Sequence, residues 1–375
     1  MSKIEDTKSC SKSRDEAVRL ELSSPSSPNS GACRFRADMT FTAATMSDPG
    51  KYSVGWICAI STEHTAARQF LDEQHGEPAH VSQHDNNSYT LGRVGQHNVV
   101  IAALPEAEYG IASAATVARD MLHSFPNIRI GLMVGVGGGA PSRRHDIRLG
   151  DVVVSSPGGG HGGVYQYDFG KTMQTQKFCP TGVLDQPPTL LRAAIANIKT
   201  QHEEDGNQID DAITSALGRK PKLRRKYARP EKKSDRLYKA GFVHPRGAGE
   251  CDELCGTEAS NLVFRKARGE DEDISAIHYG LVASANQVMK DALTRDALIG
   301  EKGVLCFETE AAGLMNHFPC LIIRGICDYS DSHKDKKWQG YAAMAAAAYA
   351  KDILKRIAPT RVENERKIAE ALVSS

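Results

Sequence analysis

The 375-residue chain has almost no excess of either charge: 47 Lys and Arg stand against 46 Asp and Glu, a formal net charge of +1. A field that weak draws a protein neither to nucleic acid nor to a membrane surface, and neither is expected as a partner. No apolar run reaches the roughly 18 to 20 residues needed to cross a bilayer. The opening stretch MSKIEDTKSCSKSRDEAVRL has no apolar core of the signal-peptide kind, so a cytoplasmic protein is expected. A disulfide framework is missing too. The nine Cys are scattered, several of them (Cys58, Cys306, Cys320, Cys327) within apolar runs, as suits reduced thiols. Periodicity is absent from residues 1–50, rich in Ser, Pro, Thr, Asn and Asp, which read as a disordered N-terminal arm. It is absent again from about 203 to 261, a polar, charged stretch that reads as a large insertion near a site entrance. That stretch carries Arg219, Lys220, Lys222, Arg224, Arg225 and Lys226, then Arg229, Lys232 and Lys233. A lid over a polyphosphate, a nucleic-acid patch or a solvated loop would each fit these charges, but sparse aromatics (Tyr227, Tyr238, Phe242) give base stacking little support. Cys251 and Cys255 with His244 hint at a metal, yet Cys-x3-Cys without a clear fourth ligand falls short of the usual set. No metal is expected.

What is present concentrates in Val304 to Asp331, VLCFETEAAGLMNHFPCLIIRGICDYSD. The apolar runs 303–307 and 320–327 have the length and flanks of buried strands. Glu308 and Glu310 follow the first and Asp328 the second, across a helix-length gap, so each carboxylate sits at a strand end. In α/β sheets ligands bind at that edge, and acids there suit a site that holds hydroxyls and moves a proton. Acids after strands also cap helices, and for either cluster alone that reading stands beside the functional one. Upstream, 52–60 reads as a first strand and 61–72 as a helix capped by Ser61 or Thr62. Glu63 lies in its first turn, where the helix dipole by itself favours an acid. Residues 88–94 and 98–104 alternate as a hairpin around Gly95-Gln96, and an Ala-rich helix follows from Gly110-Ile111 to about Leu122. Residues 128–136 form a buried strand running into Gly137-Gly138-Gly139, a loop whose amides can approach an anion or a sugar closely. Arg143, Arg144 and Arg148 come next, either as ligands for phosphate or as an ordinary solvated loop. A strand at 149–155, with Asp151 as a structural acid, a helix at 188–201, a strand at 277–284 and an Ala-rich helix at 340–357 complete the pattern. A charged tail covers 359–375. The whole is read as α/β, a mixed central sheet flanked by helices, over residues 51–358.

Phe307-Glu308-Thr309-Glu310-Ala311-Ala312-Gly313 resembles the ribose-binding motif of the nucleoside phosphorylase and nucleosidase superfamily, and Ile326-Cys327-Asp328 resembles its Ile-Ser-Asp motif. Glu63 falls where nucleosidases of that superfamily carry the Glu that binds the attacking water. The resemblance extends over about 52–357, apart from the insertion. It implies a nucleoside phosphorylase-like fold and cleavage of an N-glycosidic bond without metal or redox cofactor. Asp328 would be the acid at purine N7, raised in pKa by burial. Glu310 would bind the ribose hydroxyls, Thr309 would line the sugar, Glu308 would help orient Glu63 and the water, and Glu63 would position or activate that water. Val288 stands at the usual stacking-aromatic position, Met289 would present its backbone to the base, and Gly137 and Gly138 would lie beside the water. Phosphorylases of the superfamily carry a Gly-Asp-Pro with a nearby Arg, a Ser or Thr in the Gly-rich loop and an Arg shortly before it. This chain lacks the first, and the matched loop positions, Val136 and Met133, cannot hold phosphate. Hydrolysis is therefore expected over phosphorolysis.

Small nucleosidases of the superfamily take methylthioadenosine or S-adenosylhomocysteine, and similar domains in fungal and bacterial immune-type receptors include some that remove adenine from ATP. The FETEAAGLMNHFPCLIIRGICDYSDSHK stretch resembles the receptor-associated group most, and the basic residues suit a nucleotide. The expected partner is a small purine nucleoside or nucleotide, with ATP favoured. The resemblance also implies a homo-oligomer, a dimer or a trimer of dimers. A phosphate-dependent phosphorylase and a nucleotide-sensing module without turnover are the alternatives.

Overall fold

The computed structural model describes residues 46–245, 249 and 251–373, so most of the expected N-terminal arm lies outside the described residues. Ordered structure begins before residue 51. Ser47 bridges to Pro78, Pro49–Lys51 form one 3-10 turn capped by Asp48, and Tyr52 is buried.

In chain order the main elements are β1 (Val54–Cys58), α1 (Ser61–Gln69), β2 (Tyr89–Val94), β3 (His97–Ala103), α2 (Ile111–Ser124), β4 (Ile130–Gly139) and β5 (Val152–Ser155). They continue as α3 (Thr189–Asp205), α4 (Ile209–Arg219), β6 (Ile277–Ser284), α5 (Ala292–Lys302), β7 (Val304–Glu308), β8 (Cys320–Asp328) and α6 (Gln339–Lys355). The strands are short runs dense in Val, Ile and Leu, the composition of strands covered on both faces. Between β7 and β8 the helix-length gap holds only a 3-10 turn, Ala311–Gly313.

One mixed sheet runs in the order β7-β6-β5-β8-β4-β1-β3-β2, with Glu73–Gln74 on its outer edge. Strands β3, β1, β4 and β8 are mutually parallel, β5 is antiparallel to β8, and β6 and β7 follow β5. The end of β4 then pairs antiparallel with β7, Cys306 opposite Gly139 and Phe307 opposite Gly138. Five strands, β7-β6-β5-β8-β4, thereby close on themselves as a distorted barrel. Gly137 to Gly139, expected as a loop, are the last residues of β4, because β7 supplies the hydrogen bonds that extend the strand.

Helix α6 is the core helix. Nearly all its residues are buried, and it packs on β8 and β4, as a helix apolar on all sides must. Its Ala run lets it approach the sheet closely. A Cβ added at Gly325 of β8 would lie 1.8 Å from the carbonyl oxygen of Ala342, so that glycine is required. The insertion is more ordered than its charge suggests. Within it α4 buries Ile209, Ile213, Ala216 and Leu217, one helical face, and packs on α6. Residues 224–227 add a helical turn whose Tyr227 is buried, and Lys226 Nζ donates to Thr62 Oγ1 at 2.7 Å. Residues 359–373 form two short helices that bury Val362 and Ile368. Among the described residues no helix is long and apolar enough to cross a membrane.

Candidate active site

Closure of the barrel decides where the acids meet. Strands β7 and β8 run in opposite directions, yet both end beside the same residue of β4: Gly138 is opposite Phe307 on one side and Asp328 on the other. A Cβ at Gly138 would stand 2.1 Å from Ser330 Oγ and 2.8 Å from Asp328 Oδ1, so only glycine lets the two strand ends converge. The third acid comes from β1. Its end leads into α1, whose N-cap is Ile60, not Ser61 or Thr62. Ile60 has no side-chain oxygen to cap with, and Glu63 takes over: Oε2 accepts from the amides of Ala59 (2.6 Å) and Ile60 (3.2 Å). Oε1 reaches across to accept from the Val136 amide of β4 at 2.8 Å.

These residues line one cavity of about 220 Å³. Glu63, Gly137, Gly138, Glu308, Thr309 and Glu310 are in its wall, as are Val288 and Met289 from the loop after β6. Asp328 is not in the wall itself, but its neighbour Cys327, its hydrogen-bond partner Ser330 and its ion-pair partner Lys334 are. Met289 is buried and Val288 is 45% exposed, so the position expected to stack a base lies at the mouth.

Two cations that the sequence reading passed over organise the acids. Arg324, 1% exposed in the middle of β8, pairs with Glu308 and lies 3.2 Å from Glu310 Oε2. The Glu308 carboxylate also accepts from the amides of Glu310 (3.0 Å) and Ala311 (2.9 Å). Its oxygens are thus taken by Arg324 and the backbone, and no hydrogen bond joins it to Glu63. Thr309 donates to Glu310, which also accepts from the Gly110 amide at 3.3 Å. Lys334, its side chain 36% exposed, places Nζ 2.7 Å from Asp328 Oδ2, while the Ser330 amide donates to Oδ1 at 2.9 Å. Asp328 is buried as expected, but as half of an ion pair. Burial works against the charge on Lys334, and Asp328 more than offsets it, leaving the Lys334 pKa raised.

Burial pushes the Glu63 pKa up to about 7, against the opposing pull of Arg324 and the Val136 hydrogen bond. Burial likewise raises Glu308, opposed by Arg324. A carboxyl poised near neutrality is matched to taking a proton from water.

Arg143, Arg144 and Arg148 do not join this cavity. Strand β5 lies on the side of β8 away from β4, and the segment leading into it carries them across β8. Arg148 bonds Asp146 at 2.8 Å and the Lys266 carbonyl, Arg143 borders a separate groove with Asp146 and Phe264, and Arg144 is exposed. Asp151 is structural as expected: fully buried, it accepts from Arg268, His278 and the Ala276 amide. Lys290 is exposed and Asp291 caps α5.

No family model matches the chain. It is 46% identical over 318 residues, 85% of its length, to a nucleotide-binding leucine-rich repeat (NLR)-like protein of Hyaloscypha variabilis, and it spans 30% of that protein. Among solved structures it is similar to the 5′-methylthioadenosine/S-adenosylhomocysteine nucleosidase of Helicobacter pylori, with a TM-score of 0.50 and 15% identity over 81% of this chain and 98% of that one. It is similar also to the futalosine hydrolase of the same organism, with a TM-score of 0.50 and 14% identity over 81% and 97%. The chain has the nucleoside phosphorylase/nucleosidase fold.

Proposed function

We propose that this chain hydrolyses the N-glycosidic bond of a purine nucleotide, releasing adenine from an adenine nucleotide such as ATP. The observation that carries the reading is the convergence, at the end of β4, of a carboxyl with a pKa of about 7 (Glu63) and a buried carboxyl paired to a lysine (Asp328) around one cavity that Glu310 also lines. Glu63 takes a proton from water as its oxygen attacks C1′ of the sugar. The bond from C1′ to the base breaks, its electrons pass into the purine, and N7 takes a proton from Asp328. Asp328 regains a proton from solvent and Glu63 releases its proton to solvent, which closes the cycle, while Lys334 stays charged beside Asp328. Glu310 accepts from the ribose hydroxyls, and the carboxylates stabilise the positive charge that develops on the sugar.

Two features support hydrolysis over phosphorolysis. The Val136 amide at the Gly-rich strand end is already taken by Glu63, and Arg324 is taken by Glu308 and Glu310. A phosphate nucleophile would find its natural donors occupied by the protein's own carboxylates.

A nucleotide is supported by a second cavity of about 980 Å³ next to the first, lined by nine Lys or Arg and one acid, Glu231. Lys222, Arg224, Arg225 and Arg229 come from the insertion, Lys336 and Lys337 from the loop after β8. No residue lines both cavities, but two links bring them near each other: Lys226 bonds Thr62, the neighbour of Glu63, and Lys336 follows Lys334 by two residues. The phosphate role expected of residues 143, 144 and 148 moves to this set. The similarity to an NLR-like protein fits an enzymatic module of a receptor-type, immune protein.

The test is to incubate the protein with ATP, AMP, adenosine and methylthioadenosine, each with and without inorganic phosphate, and to measure free adenine. Adenine from ATP without phosphate is expected. Release only with phosphate would mean a phosphorylase, and retained intact nucleotide with no release would mean a sensor.

A further inference from the structure

The residues that hinted at a metal in the sequence lacked a fourth ligand, and the fold supplies one. Cys251 and Cys255 occupy one helical turn, the Cys255 amide donating to the Cys251 carbonyl at 3.0 Å, so both thiols share a face. His244 Nδ1 lies 3.0 Å from Cys255 Sγ and 3.4 Å from Cys251 Sγ. The fourth residue is His333, 82 residues after Cys251, in the loop after β8. Ligand atoms of His244, Cys255 and His333 all lie within 4.8 Å of one another, and Cys251 Sγ is 3.6 Å from the His333 carbonyl oxygen. Zinc bonds of about 2.3 Å to sulfur and about 2.0 Å to nitrogen at tetrahedral angles place S and N about 3.6 Å apart, so His244 already stands near metal-binding spacing to both thiols, and His333 lies within 4.8 Å of His244 and Cys255.

His333 provides the independent sign. Its side chain is only 4% exposed, and neither ring nitrogen has a hydrogen-bond partner. A buried imidazole with both nitrogens unpaired is costly. The ring is held in place by stacking on Tyr238, centroids 4.0 Å apart, and on Phe242 at 5.4 Å. Asp331 Oδ2 stands 3.7 Å from Nδ1, where an outer-shell carboxylate orients a metal-bound histidine.

We propose that His244, Cys251, Cys255 and His333 bind one zinc-class divalent cation as a closed Cys2His2 site. Four protein ligands leave no open position, so the metal is structural. It fastens the insertion, which supplies three ligands and much of the basic cavity, to the loop that carries Lys334 next to His333. The site thus holds the phosphate-facing wall and the lysine partner of Asp328 in one piece.

The full chain, purified without added metal, is analysed for zinc. It is then stripped with a chelator under reducing conditions and titrated with Co2+. About one zinc per chain is expected, and a tetrahedral cobalt spectrum with a thiolate-to-cobalt charge-transfer band. Cys251→Ser and Cys255→Ser should each weaken Co2+ binding at least about tenfold and diminish the charge-transfer band. A chain that holds no stoichiometric metal and gives no thiolate–cobalt band, or that carries a Cys251–Cys255 disulfide, would overturn the proposal. So would a band unchanged in both Ser variants. The wild-type spectrum decides the matter even if a variant fails to fold.

Discussion

Replacing Glu63 by Gln tests both the electrostatics of the cavity and the identity of its base. The fold lifts this carboxyl from 4.5 to about 7. The native state therefore binds the Glu63 proton more tightly than the unfolded chain does, and the associated stability is present below the unfolded value and lost as pH rises through about 7. A lift of about 2.5 units at about 1.4 kcal/mol each makes the loss about 3 kcal/mol. Gln has the same shape and does not titrate. Its amide nitrogen must face at least one of the backbone donors at Ala59, Ile60 or Val136, so the variant should be the less stable protein in mild acid. The gap should then move by about 3 kcal/mol in the variant's favour between about pH 4 and pH 8.5. Urea denaturation across that range, followed by fluorescence of the buried Trp56 and Trp338, measures it. Parallel stability curves for the two proteins would refute the reasoning, because Glu308, whose pKa is also raised, titrates in both and cancels in the difference.

Asp328→Asn should lower adenine release at least about 100-fold with nucleotide binding by calorimetry changed only a few-fold; full activity would remove Asp328 from the mechanism. Arg324→Met leaves Glu308 and Glu310 buried without their cation and should cost about 3–5 kcal/mol in chemical denaturation; an unchanged midpoint would count against a charged triad. Gly138→Ala forces a Cβ to within 2.1 Å of Ser330 Oγ and 2.8 Å of Asp328 Oδ1, so activity should collapse while circular dichroism stays native. The triple change Lys222→Ala, Arg225→Ala and Lys336→Ala should raise KM for ATP at least about tenfold and leave adenosine unaffected; equal effects on both would place the phosphates elsewhere.

Much of the scaffold is legible from neighbouring residues. The runs around Leu305, Ile323 and Ile57 are too short and too continuously apolar for anything but buried strands, and the carboxylates follow them directly, so Glu308, Glu310 and Asp328 are bound to lie at strand ends. The face of α4, Ile209, Ile213, Ala216 and Leu217, also carries the helical period, hidden among the charges of the insertion. Arg324 carries a signal as well, since a single cation inside a fully buried strand must have partners. Which strand ends meet is a different matter. That Asp328 and Phe307, the residue before Glu308, both stand opposite Gly138 depends on β7 pairing back onto β4, a long-range register that no local period encodes. The pairing of β5 with β8 carries Arg143, Arg144 and Arg148 away from the cavity, and the loop after β8 turns Lys334 back onto Asp328. It is likewise the path of the loop after β8, and nothing in the spacing of Cys251 and Cys255, that delivers His333 to His244. Apolar runs and acid positions are local properties of the chain, whereas the convergence of side chains from distant segments arises only when the barrel closes.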